Sequence, residues 1–271
     1  MAHAQIATFS RMAKENSQPN RVIAGQKTLL SRTMHDIRYD AVHDEFYVNN
    51  PYAYAILTFR GGANGEEAPI RIIQGPHTML GSGSRLEEDP VHNEIFVPTG
   101  GSVLVFDRDA QGDVPPKRVL KGPDTMIRGG GGVAVDPVHN LLIVGVSGNQ
   151  RNPGAVLIFD RTANGNVKPL RAISGPHTEI IRALQLQVYP PTGWIAVAQP
   201  SESGPVAPGD TFIGFWHIND DGDIAPRWKL QGPKSTLIKP RGVALMPGHK
   251  EIVVSDMSLN ALLTFYFPEI F

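Results

Sequence analysis

Asp89-Pro90-Val91-His92-Asn93 and Asp136-Pro137-Val138-His139-Asn140 are one phrase written twice, and Asp40-Ala41-Val42-His43-Asp44 is a close variant. An apolar alternating run precedes each phrase and a second run, such as Glu94-Ile95-Phe96-Val97, follows it. Period-two alternation on both sides of a turn is the pattern of two antiparallel strands, here named A and B. A third strand, C, reads Val103-Leu104-Val105-Phe106-Asp107-Arg108 and recurs as Val156-Leu157-Ile158-Phe159-Asp160-Arg161. A fourth, D, reads Pro116-Lys117-Arg118-Val119-Leu120 and recurs as Pro169-Leu170-Arg171-Ala172-Ile173. Each D strand runs into Gly-Pro-x-Thr or a relative of it, at Gly75, Gly122, Gly175 and Gly232, where the chain turns to the next unit.

A repeated four-stranded unit of about fifty residues predicts an all-β chain, a single β-propeller over residues 1–271. A–B pairs begin at Asp40, Asp89, Asp136, Tyr189 and Met246, which makes five blades, with six as the alternative. Residues 6–23 match a C–D pair and Leu262 to Phe267 matches a C strand. Strands from the two ends are therefore expected to close the ring, the N-terminal D strand completing the C-terminal blade and removing open edges.

Pro240-Arg241-Gly242-Val243-Ala244-Leu245, Ile252-Val253-Val254-Ser255-Asp256, Asn260 and Leu263-Thr264-Phe265 resemble an NHL repeat. The resemblance implies a propeller. It leaves function open, because NHL-like propellers include lactonases, lyases, sensor domains and RNA- or protein-binding modules.

The 271 residues carry 25 Lys plus Arg against 26 Asp plus Glu, so no global field favours nucleic acid. The 28 glycines and 23 prolines suit short strands and tight turns. No apolar stretch is long enough to span a bilayer. Cysteine is absent, which excludes disulfides and thiolate metal sites. Ala2-His3-Ala4 before Gln5 resembles the end of a secretory signal, so an extracytoplasmic setting is expected.

Repetition separates scaffold from site. His43, His92, His139 and His249 share one turn position, and a residue needed once has no reason to recur in every blade. Asn219-Asp220-Asp221-Gly222-Asp223 reads as a hairpin turn, because no glutamate closes a calcium loop. Asp107 with Arg118, and Asp160 with Arg171, are expected to pair across the C–D hairpin, with Trp216 and Trp228 as an aromatic replacement in blade 4.

Ile37, Leu86, Val133, Leu186 and Val243 on the A strands read as interblade core. Flanking them, Asp36, Arg38, Arg85, Glu87, Gln185 and Gln187 face the channel, while the corresponding residues of blades 3 and 5 are Gly or Ala. Charge in a narrow lumen is either a structural network or a ligand site. His35 and Arg241 stand at the channel mouth, and Tyr52, Tyr54, Asn149 and Arg151 lie in variable B–C loops, where binding on rigid scaffolds usually resides.

Two functions fit. The first is an exported binding or scaffold propeller for a small polar ligand, a glycan or a protein, without a cofactor. The second is a lactonase-like hydrolase or lyase, with His35 as acid or base, Arg38 and Arg85 stabilising developing negative charge, and Glu87 or Asp36 as partner. An amidating-type zinc site would need several channel histidines, and only His35 stands there. A divalent cation would have Asp36, Glu87 and Asn149, a thin shell. With no nucleophile or cofactor motif, binding ranks first.

Overall fold

The computed structural model describes residues 4–32, 34–83, 85–149, 152–200 and 211–271. A hairpin of β1 (Gln5–Thr8) and β2 (Arg21–Ala24) comes first. Blade 1 is β3 (Asp36–Asp40), β4 (Glu45–Asn50), β5 (Ala55–Arg60) and β6 (Arg71–Gln74). Blade 2 is β7 (Glu87–Asp89), β8 (Glu94–Thr99), β9 (Ser102–Asp107) and β10 (Arg118–Lys121). Blade 3 is β11 (Val133–Asp136), β12 (Leu141–Val146), β13 (Ala155–Asp160) and β14 (Arg171–Ile173). Blade 4 is β15 (Gln185–Tyr189), β16 (Trp194–Gln199), β17 (Phe212–His217) and β18 (Trp228–Leu230). Blade 5 has β19 (Pro240–Met246), β20 (Glu251–Asp256) and β21 (Ala261–Tyr266). Each blade is an antiparallel meander with its strands in chain order. The protein is thus a five-bladed β-propeller. Among the described residues there is no α-helix, only short 3₁₀ turns.

The A–B turns explain the repeated phrase. Asp40 Oδ1 accepts the amides of Val42 and His43, at 2.8 and 3.0 Å, and its Oδ2 lies 2.6 Å from His43 Nδ1. Asp89 with His92 and Asp136 with His139 do the same. Asp44, Asn93 and Asn140 then take left-handed backbone, a conformation short polar side chains tolerate. His43, His92 and His139 are thus turn scaffold, while at His249 the aspartate's place is taken by Met246.

Apolar layers between adjacent blades form the core. Leu86 packs with Tyr47, Ile56 and Ile73 of blade 1, and Val133 with Phe96, Val103 and Leu120 of blade 2. Four of the five A-strand residues assigned to this core are buried. Ile37 is the exception, at 45% exposure.

Three finer expectations are corrected. First, β2 does not join the sheet of β21; β1 and β2 form their own two-stranded sheet, and blade 5 has three strands. The ends meet through a side-chain contact, Arg11 Nη1 with Glu251 Oε1 at 3.0 Å, while Ile23 of β2 bridges Gly65 of blade 1.

Second, Arg118 does not pair with Asp107, because it stands opposite Val105. Its Nη1 reaches Glu94 Oε1 at 2.7 Å, and Arg161 of blade 3 binds the same glutamate. Blade 1 repeats the triad with Glu45, Arg71 and Arg108. Arg171 donates instead to the Ile218 carbonyl, since Leu141 stands where the glutamate would be.

Third, Trp216 occupies the core position of Phe106 and Phe159, with its indole N–H on the Ile224 carbonyl. Trp228 pairs edge to face with Trp194, ring centroids 4.7 Å apart, and lies 6.1 Å from Phe267. These three rings hold the places of Arg118, Glu94 and Arg161.

Candidate functional site

The A strands bring the channel residues together across blades far apart in sequence. Asp36 Oδ1 accepts from Arg38 Nη1 at 3.0 Å and from Gln185 Nε2 at 2.7 Å, and its Oδ2 accepts the Leu86 amide. Arg38 Nε donates to Glu87 Oε1 at 3.0 Å, and Gln187 Nε2 to Glu87 Oε2 at 3.2 Å. Gln185 Oε1 takes the Val243 amide of blade 5. Blades 1, 2, 4 and 5 are therefore tied by one polar network, the structural alternative expected of charge in a lumen.

Burial sets its electrostatics. Glu87 is pushed up to about 7 by burial, against the pull of Arg38. Glu88 rises to about 9 through burial and the neighbouring Glu87. Burial would lower Arg38, yet the Asp36 and Glu87 carboxylates hold it above its ordinary value. Arg38 Nη2 and Glu88 Oε2 are buried and have no partner among the described residues.

Above this network the mouth is basic. Arg85 Nε donates to the Leu184 carbonyl at 3.1 Å, and the Arg85 carbonyl accepts from Asn49. Burial lowers the Arg85 guanidinium, Asp36 opposes, and Arg241, Arg38 and Arg182 lower it further. Arg241 is lowered by burial and then by Arg182, and its Nε is buried with no partner among the described residues. His35 is held below its usual value by burial and by the Arg85 and Arg241 cations, with a weaker opposing pull from Asp36.

A cavity of about 290 Å³ opens here, lined by Arg85, Gly83, Thr99, Leu184 and Gly129 to Gly131. A second, of about 360 Å³, shares Gly129 and adds Arg128, Ser147, Asn149 and Asn152. Glycine is required in the wall of the first cavity: a Cβ on Gly131 would lie 1.9 Å from the Gly145 carbonyl oxygen.

Asp36, Arg38, Arg85, Glu87, Gln185 and Gln187 are thus assembled as one cluster, and His35 and Arg241 join Arg85 at the mouth. Asn149 lies in the adjoining cavity. Tyr52 and Tyr54 are exposed on and after the turn Pro51–Ala53 and line neither cavity. Arg151 lies outside the described residues. Arg182 was not foreseen; the only signal was its place two residues before Leu184, the mouth position of blade 4.

Among the described residues no group of three His, Asp or Glu is arranged to hold a metal. Within the Asn219–Asp223 turn, Asp221 Oδ1 accepts the Ala172 amide and Asp223 pairs with His177, so both carboxylates are spent on the neighbouring blade.

No family model matches the chain, and no curated protein matches it. Among solved structures it is similar to the hydrazine synthase of Kuenenia stuttgartiensis, with TM-score 0.57 and 13% identity, over 80% of this chain and 54% of that one. The chain thus spans about half the length of that relative. A chain of a nidogen/laminin complex aligns with TM-score 0.61 and 13% identity, over 98% of this chain and 91% of that one. At this identity the likeness is one of fold, and it establishes the β-propeller.

Proposed function

We propose that this propeller is a binding module whose basic mouth holds a small anionic ligand, a carboxylate or an oxyanion such as phosphate. The carrying observation is the convergence of His35, Arg85, Arg182 and Arg241, with the buried Arg241 Nε lacking a partner among the described residues. Arg182 depresses both Arg85 and Arg241, and Arg241 depresses Arg85; an anion relieves such crowding, and guanidinium forks suit oxyanions. Asp36, the carboxylate whose charge acts on both His35 and Arg85, is already committed to Arg38, Gln185 and the Leu86 amide.

The lactonase-like alternative draws on Glu87, raised to about 7. Both of its oxygens are engaged, by Arg38 and by Gln187, which favours a structural role. The resemblance to NHL repeats suits either reading.

Isothermal titration and thermal shift with sulfate, inorganic phosphate and citrate test the proposal. At least one anion should bind, and Arg241→Ala and Arg182→Ala should each weaken it by roughly tenfold, the scale of one charge-assisted contact. Binding that ignores both substitutions, or none at all, overturns it.

A further inference from the structure

Two contacts repeat around the ring and define how each blade sits on the one before. The D strand of a blade bridges a glycine in the C–D turn of the next: Ile73 to Gly112, Leu120 to Gly165, Ile173 to Gly222. The arginine after strand C reaches back to the glutamate that opens strand B of the preceding blade, as Arg108 does to Glu45 and Arg161 to Glu94.

The N-terminal hairpin makes both contacts. Ile23 bridges Gly65 of blade 1, and Arg11 binds Glu251 of blade 5. Hence β1 and β2 stand as strands C and D of a sixth place between blades 5 and 1. No described strand supplies A and B of that place, or D of blade 5.

Both walls of the place are bare where other blades are packed. Ile37 is 45% exposed while Leu86, Val133, Leu186 and Val243 are buried, and Tyr39 is 58% exposed while Val135 and Val188 are buried. On blade 5, Leu262 is 63% exposed, although its equivalents Ile56, Val103, Val156 and Ile213 are buried. Thr264 is exposed where Val105, Ile158 and Phe215 are buried. Among the described strands the backbone edges are unpaired too, since β1 bonds only β2, and β21 only β20. The last residues turn away, with Ile270 accepting from Thr192 of blade 4 and Phe271 packed on Tyr189.

We propose that the sixth place takes a strand segment of a partner polypeptide in the order D, A, B. Its first strand adds to the free edge of β21, and its following hairpin adds to the free edge of β1. Alternate apolar side chains seat between Ile37 and Tyr39 on one wall and Leu262 and Thr264 on the other. The repeat itself specifies this chemistry, because between blades 2 and 3 the equivalent space is filled by such a run, residues 116–146, whose Val133, Val135, Leu142 and Val144 are buried. An acidic residue opening the partner's last strand meets Arg21, which holds the place that Arg71 and Arg118 hold against Glu45 and Glu94.

A synthetic peptide of residues 116–146, added to the full chain, is the probe. It should raise Tm by a few degrees and slow amide exchange in β1 and β21. Leu262→Asp, at an exposed position, should keep the native Tm alone and abolish both effects. A peptide with serine at the four apolar positions should have neither effect. The same segment fused ahead of Ala4 serves if the free peptide is insoluble, and should raise Tm likewise. Absence of both effects in the peptide and the fusion overturns the proposal. So does a dimer in sedimentation that Leu262→Asp dissociates and the peptide does not, since a second copy is then the occupant.

Discussion

The carboxylate of Asp36 in blade 1 accepts a 2.7 Å hydrogen bond from Gln185 in blade 4, 149 residues away, across the channel. The same oxygen also holds Arg38, so one side chain joins two opposite blades and a buried cation. Removing one partner of such a cluster strands the others. Asp36→Ala should cost about 3–5 kcal/mol, read as a lower urea midpoint at unchanged m-value. Tyr52→Ala, on an exposed loop, should stay within about 0.5 kcal/mol.

Stability should fall as pH rises from about 4.5 to about 7. Glu87 ionises near its ordinary 4.5 when unfolded and near 7 when folded, so in that window the native state holds the extra proton and loses stability with each step up. Urea melts at pH 5, 6, 7 and 8 measure the slope, and Glu87→Gln should flatten it. Glu88, raised to about 9, carries a similar decline to higher pH, which Glu88→Gln should remove.

The basic mouth sets a pH dependence for anion binding. Because His35 titrates below its usual value, it is neutral at pH 7 and becomes a further cation as pH falls through its lowered pKa. Sulfate affinity should therefore rise on acidification, with proton uptake in calorimetry. His35→Ala should leave the affinity at pH 7 and remove the rise.

Blades 2 and 4 solve one contact in opposite ways, with Glu94, Arg118 and Arg161 in the first and Trp194, Trp228 and Phe267 in the second. Trp228→Ala should cost about 2–3 kcal/mol, from half-burial of a large ring, at any ionic strength. The cost of Arg118→Met should likewise change little with salt, because the pair is largely buried, its side chains 16% and 4% exposed, and buried pairs are only weakly screened.

Gly131→Ala should disturb the mouth directly. The added methyl meets the Gly145 and Ala183 carbonyl oxygens at 1.9 and 2.9 Å, both backbone, so strands must separate. A loss of about 1–3 kcal/mol and weakened anion binding are expected, measured by chemical denaturation and titration.

Much of the propeller was legible because its instructions are local and repeated. Asp40 and His43 are three residues apart and close their own turn, so the phrase carries its geometry wherever it occurs. The channel cluster was legible as well, because period-two alternation sends Asp36 and Arg38 to one side of Ile37. Arg182 was not, since it lies in an irregular segment ahead of the strand, where no period assigns a direction.

Sequence alone determined the four-strand unit, the five A–B pairs, the turn residues and the set of side chains that face the channel. Each follows from contacts within a few residues or from alternation along one strand. Only tertiary structure decided that Arg118 meets Glu94 and not Asp107, that β1 and β2 stand apart from blade 5, and that Arg182 joins the mouth. Those depend on sheet register and on how far the ring closes, and closure is a balance among all blades that no single repeat encodes.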